Sequence, residues 1–214
     1  MDIVSSLKEK YDVNNPIFID EIRSTFKNYS KIRVAQLIEE SIDKNEIIRF
    51  ENGIYYIPTK TVLGNSTLSI AKVIEKKYIR NDTNIYGFYY GLSFLNYIDI
   101  TTQVPQVYEI ITNNESTRVR RIKIKNQDII LRKARFKITR ENYKTLQFLE
   151  FINSTDMRFL VNNSKKISQY FNNNVDKKQL ETYLIKYPSK TIKKLYELDL
   201  LWNYTKIKNC FLNS

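Results

Sequence analysis

Histidine is absent from all 214 residues of the chain, and cysteine occurs once, at Cys210. The first absence removes the commonest general base and metal ligand, so Ser-His-Asp triads, zinc-protease motifs and other histidine-dependent sites are excluded. A lone cysteine can close no internal bridge and anchors no Cys/His metal cluster, which fits a reducing, cytoplasmic setting. No apolar run reaches the roughly 20 residues of a membrane helix. The opening Met1-Asp2-Ile3-Val4-Ser5-Ser6 lacks a basic segment followed by an apolar one, so export is not expected. No cofactor, metal or catalytic residue is assigned.

Positive charge, by contrast, is plentiful. Lysine and arginine number 35 against 23 acidic residues, a formal net charge of +12. Such a balance favours polyanionic partners, nucleic acid first. The wealth of Ile, Lys, Asn and Tyr is what an AT-rich genome encodes, and it inflates lysine, so the charge has to be discounted. The length allows one or two domains with an ordinary core.

Residues 30–58 organise the chain. Ser30 is placed to cap a helix running to about Lys44, its hydroxyl accepting an otherwise unpaired backbone N–H. At about 100° per residue, Ile32, Val34, Ala35, Leu37, Ile38 and Ile42 share a core arc, while Arg33, Gln36, Glu40, Asp43 and Lys44 face water. Two β-rich runs, 46–50 and 53–57, then flank Asn52-Gly53, a strong hairpin signal, and Pro58 stops the second strand.

Upstream, Ile3, Val4, Leu7 and Tyr11 repeat at helical spacing, residues 17–19 make a very short strand, and 20–26 make a second helix. The order helix, strand, helix, turn, helix, hairpin is that of a winged helix-turn-helix over residues 1–60. In such a domain Arg33 can pair bidentately with guanine and Gln36 with adenine. Tyr29, Ser30 and Lys31 are placed for phosphate, and Arg49 and Asn52 in the wing for backbone or minor groove. The plainer alternative is an ordinary helix and hairpin in a small domain.

A polar connector carrying Gly64 spans residues 59–66 and marks the expected boundary. Residues 67–78 read as a helix, and Glu75 and Lys77 within it as surface charge rather than a nuclease pair. Residues 86–97 are the most apolar stretch and are expected to form the central buried helix of a second domain, 61–214.

The runs Tyr90-Gly91-Leu92-Ser93-Phe94-Leu95-Asn96, Thr101-Thr102-Gln103-Val104-Pro105 and Val107-Tyr108-Glu109-Ile110-Ile111-Thr112 resemble the C-terminal domain of AbiEi-type transcriptional regulators. The wing Gly53-Ile54-Tyr55-Tyr56-Ile57-Pro58 resembles their N-terminal domain, and the likeness spans residues 17–152. The resemblance implies an antitoxin of a type IV toxin-antitoxin, phage-defence system. Such a protein represses its own operon at inverted repeats and counteracts a nucleotidyltransferase-like toxin. It carries over no chemistry to Thr101–Pro105, whose own residues read as a structural turn.

Residues 118–125 alternate with period two and read as a strand, apolar on one face and basic on the other. Residues 128–137 continue the pattern. Arg118, Arg120, Arg121, Lys123, Lys125, Arg132, Lys133 and Arg135 would repel one another on adjacent strands, and a phosphate backbone would relieve this. A solvated sheet face is the plainer reading. Residues 141–152 read as a helix, and 153–214 as wholly helical over 157–171, 177–187 and 189 to about Trp202.

The expectation is therefore an α+β protein, with an N-terminal winged helix-turn-helix, an α/β domain with a small basic sheet to about residue 152, and C-terminal helices. It is expected to be a sequence-specific DNA-binding repressor, not an enzyme, placed on an inverted-repeat operator of double-stranded DNA as two copies, with no membrane partner. Two rivals remain: a Mg²⁺-dependent nucleic-acid enzyme using Asp and Glu, and a protein-interaction module without specific DNA readout.

Overall fold

The computed structural model describes residues 3–62 and 64–201. Cys210 and Trp202 lie outside the described residues. The chain is mixed α+β, and its internal contacts divide it into two units, Met1–Lys77 and Tyr78–Ser214. Among the described residues no helix is long and apolar enough to cross a membrane.

The first unit opens with α1 (Ile3–Lys8), whose Ile3, Val4 and Leu7 recur at helical spacing and are all buried. The short β1 (Ile17–Phe18) leads into α2 (Ile19–Thr25). Glu21 secures this entry: its carboxylate accepts from the Phe18 N–H at 2.8 Å and from Lys76 Nζ at 2.9 Å. α3 (Lys31–Asp43) then begins at Ser30, whose Oγ accepts from the Arg33 N–H at 3.1 Å, satisfying one of the unpaired donors of the first turn.

Strands β2 (Ile48–Glu51) and β3 (Ile54–Tyr56) form a hairpin around Asn52-Gly53. Gly53 has φ +76°, a conformation a side chain would strain, and its carbonyl accepts from the Ile19 N–H at 2.9 Å. The sheet is antiparallel in the order β1-β3-β2, with Tyr55 paired to both Ile17 and Arg49. Ile17, Ile22, Phe26, Val34, Ile38 and Ile47 close one core beneath it.

The arc expected of α3 needs correction. Val34 and Ile38 are 1% exposed and Leu37 and Ile42 half-buried, but Ile32 is 74% exposed and Ala35 is exposed too. The buried stripe is narrower than the apolar residues of the sequence, and Ser41 joins it by donating its hydroxyl to the Leu37 carbonyl at 2.9 Å.

Within the expected connector, β4 (Lys60–Thr61) and β5 (Gly64–Asn65) form a miniature antiparallel ribbon. α4 (Ile70–Ile74) follows and continues into one π-helical turn, Glu75–Ile79. Lys72 Nζ donates to the Asn14 carbonyl at 3.1 Å and Lys76 Nζ to the Pro16 carbonyl at 2.7 Å, tying this helix back to the turn before β1.

The second unit is built on a four-stranded sheet in the order β6-β7-β9-β8, from β6 (Gly87–Tyr90), β7 (Val107–Thr112), β8 (Val119–Ile124) and β9 (Gln127–Lys133). β7 and β9 run parallel, and the other two pairs are antiparallel. α5 (Leu92–Tyr97) sits between β6 and β7 in the chain.

Residues 86–97 therefore do not form one buried helix. A short apolar run reads the same as a buried strand or a buried helix, and two glycines decide it here. Gly87 lies where a Cβ would come within 2.0 Å of the Tyr78 carbonyl oxygen, so the backbone can pair there only without a side chain. Gly91, at φ +58°, turns the strand into α5, and a Cβ there would meet Glu109 Oε1 at 2.6 Å. α5 buries Ser93 and Phe94 while Tyr97 is 66% exposed.

The remaining helices are α6 (Tyr143–Ser154), α7 (Met157–Asn162), α8 (Ser164–Asn174), α9 (Lys177–Leu184) and α10 (Ser189–Glu197). The single helix expected over 157–171 is broken at Asn163, which ends α7 and starts α8. α6 is the hub: Phe148, Leu149 and Ile152 pack with Leu160, Ile167, Leu180, Leu184 and Leu195. Its C-terminal carbonyls would be orphaned, but Lys194 Nζ donates to those of Ile152, Asn153 and Thr155. Burial lowers the Lys194 pKa from its ordinary value.

Candidate nucleic-acid interface

The turn into α3 is short and ring-braced. The Tyr29 N–H donates to the Phe26 carbonyl at 3.0 Å, and the two rings meet edge to face with centroids 6.2 Å apart. Phe26 is buried, which leaves Tyr29 projecting at 43% exposure beside Ser30 and Lys31, both exposed. One turn further along the helix Arg33 and Gln36 also face outward.

Those two side chains are tied together. Arg33 Nη1 donates to Gln36 Oε1 at 3.3 Å and to Glu40 Oε1 at 3.2 Å, a chain of three polar groups spaced by three and four residues along one face. The guanidinium and the Glu40 carboxylate are each about half exposed, with side-chain accessibilities of 46% and 54%. An exposed pair of this kind is worth about 0–1 kcal/mol, so an incoming phosphate or guanine edge can replace it at little cost.

The hairpin carries the same device. Arg49 on β2 is ion-paired with Glu39 of α3 and lies over the Tyr55 ring, 5.8 Å from its centroid. Tyr55 and Tyr56 are both buried and do not project from the hairpin: Tyr55 packs in the core with the helices, and the Tyr56 hydroxyl donates to the Ser66 carbonyl at 3.0 Å. Asn52 is exposed at the tip. The seven residues expected to meet DNA are thus all exposed, and two of the three cations among them are held by carboxylates of α3, Glu39 and Glu40. Sequence reading left Glu39 and Glu40 without that role. The seven-residue step from Arg33 to Glu40 along one helix was the signal for the second; the Glu39–Arg49 pair joins separate elements and had none.

On the second unit, the basic residues do not form the single stripe expected. Arg120 and Arg121 are consecutive, and consecutive strand residues must point to opposite faces. Register places Arg121 and Lys123 on the face of Val119, opposite Ile130 and Asp128, while Arg120 shares the other face with Ile122 and Ile124. Among the described residues β8 is an edge strand, paired only with β9.

Arg118, Arg121, Lys123, Lys125 and Lys133 are exposed. Arg132, Arg135 and Arg120 make ion pairs with carboxylates of the same unit. Arg132 Nη2 reaches Glu109 Oε2 at 3.0 Å, with its guanidinium 5.3 Å from the centre of the Tyr90 ring. Arg135 Nε reaches Glu150 Oε1 at 3.1 Å. Arg120 Nε lies 2.8 Å from Glu115 Oε2.

Glu115 is the most buried carboxylate of these pairs, its side chain 2% exposed. The backbone N–H of Thr117 holds its pKa below the ordinary carboxylate value. Burial opposes this, while the Thr117 hydroxyl and Arg120 assist it. Arg120, itself half exposed, sets a cation against this buried carboxylate. Among the described residues, no three His, Cys, Asp or Glu side chains cluster in a way that could hold a metal ion.

What these surfaces offer chemically is donors and positive charge: guanidinium, ammonium, carboxamide and hydroxyl groups. Compared with known proteins, the chain matches no protein-family model, and no curated protein matches it significantly.

Proposed function

We propose that this chain is a cytoplasmic, sequence-specific DNA-binding repressor, with residues 1–60 acting as a winged helix-turn-helix. α3 is its recognition helix and the β2-β3 hairpin its wing. The observation that carries the reading is the outward projection of Arg33 and Gln36 from the first two turns of a helix whose opposite side is core. Arg paired to guanine and Gln paired to adenine are the bidentate contacts of direct major-groove readout.

Tyr29, Ser30 and Lys31 flank the helix start, where phosphate contacts would set its register, and Arg49 and Asn52 reach from the hairpin to the adjacent backbone. Two copies would bind an inverted repeat with half-site centres about 34–36 Å apart or at multiples of that distance. The exposed lysines and arginines of β8 and β9 would add non-specific attraction to the phosphate backbone.

The resemblance of residues 17–152 to AbiEi-type regulators extends this to a type IV antitoxin that represses its own operon and counteracts a nucleotidyltransferase-like toxin. Footprinting on the DNA upstream of its own reading frame tests the reading. Protection of an inverted repeat is the expected result, and uniform or absent protection would overturn it.

A further inference from the structure

Ile32 is the second residue of α3 and is 74% exposed, although the same helix hides Val34 and Ile38 to 1%. Burying such a side chain is favourable, and at this position the fold leaves most of that gain unrealised. Ala35 and Gln36 stand three and four residues further on and are exposed as well, so the three share one outward strip, two apolar groups followed by a carboxamide. Lys31 and Arg33 stand on either side of Ile32 in the chain, which favours a polyanionic occupant for this strip over an apolar protein surface.

In the major groove, thymine alone presents a methyl group, at C5, and adenine presents the N6/N7 pair that a glutamine carboxamide matches. We propose that Ile32 is a specificity-determining residue that reads the C5 methyl of a thymine, with Ala35 lining the same contact and Gln36 engaging an adjacent adenine. This rests on α3 being the recognition helix. It adds that each half-site contains a thymine recognised by its methyl and not by its hydrogen-bonding edge.

The test begins with selection of a preferred duplex from a random library by the full-length chain. Each thymine of that duplex is then replaced in turn by deoxyuridine, which keeps every hydrogen bond and removes only the methyl. At one position per half-site the wild type should lose about fourfold in affinity, the worth of one buried methyl. Ile32→Ala should bind the thymine and deoxyuridine duplexes equally, and Ile32→Val should keep part of the preference. Because Ile32 is exposed, both variants should retain the wild-type circular dichroism and melting temperature.

If no sequence is enriched, the recognition-helix reading falls and this inference with it. If a site is enriched but every deoxyuridine is neutral, or the methyl preference survives Ile32→Ala, the inference alone is overturned.

Discussion

Arg33 and Glu40 stand seven residues apart on one face of α3, with Nη1 of the guanidinium 3.2 Å from the carboxylate. The arginine best placed to read a base is thus held, in the free protein, by a carboxylate that DNA would have to displace. Glu39 holds Arg49 of the hairpin in the same way. Both glutamates also add negative charge to the surface expected to meet phosphate, so they oppose binding twice.

Replacing them should strengthen binding. For Glu39→Gln with Glu40→Gln we expect up to about 30-fold higher affinity for operator and random duplexes alike, because the two competing pairs are exposed and worth at most about 1 kcal/mol each. Fluorescence anisotropy titrations at two salt concentrations measure this. Unchanged or weaker binding would place the DNA on another face.

The basic strands separate into residues that attract and residues that hold the fold. Lys123→Ala should weaken binding equally on specific and random DNA and lower the salt slope by about one, as loss of a single phosphate contact does. Arg120→Ala should instead reduce stability by about 1–2 kcal/mol, since it removes a half-exposed cation from the buried Glu115 carboxylate, which keeps its Thr117 donors. Chemical denaturation distinguishes the two, and a fully stable Arg120→Ala protein would contradict the assignment.

Glu115 also sets a pH dependence. Its folded pKa is lowered, first by the Thr117 N–H, so the unfolded chain takes up its proton at a higher pH than the folded protein does. The stabilisation is therefore complete above the ordinary carboxylate value, 4.5, and is lost as pH falls through the lower folded value. Wild type should exceed Glu115→Gln in stability at pH 7 by more than it does at pH 3, as read from denaturant midpoints. A gap that is constant or widens on acidification would be inconsistent with a depressed pKa.

How far the sequence could be read varied with the range of the interactions. Ser30, Asn52 and Gly53 act through their own few neighbours, and the cap and the hairpin turn were legible from those residues alone. The stretch 86–97 was not, because its strand half is specified by distant contacts, Gly87 against Tyr78 and the β6-β7 pairing. Nor was the exposure of Ile32 legible. Helical periodicity puts it on the apolar arc, but the core beneath α3 covers Val34 and Ile38, takes in part of Leu37 and Ile42, and does not reach Ile32. At the candidate interface the outward polar residues of α3 followed from periodicity, whereas Glu39 with Arg49 joins a helix to a hairpin and Glu115 with Arg120 joins a loop to β8, and no local pattern announces them.

The decisive measurement is the affinity of the full chain and of Arg33→Ala for its own upstream inverted repeat and for a shuffled duplex of the same length, at one salt concentration. The wild type should prefer the repeat by about 10³-fold or more, and Arg33→Ala should lose about 1–3 kcal/mol on the repeat while its binding to the shuffled duplex scarcely changes. Equal binding of the two duplexes by the wild type, or an equal loss on both for Arg33→Ala, would contradict base readout by α3.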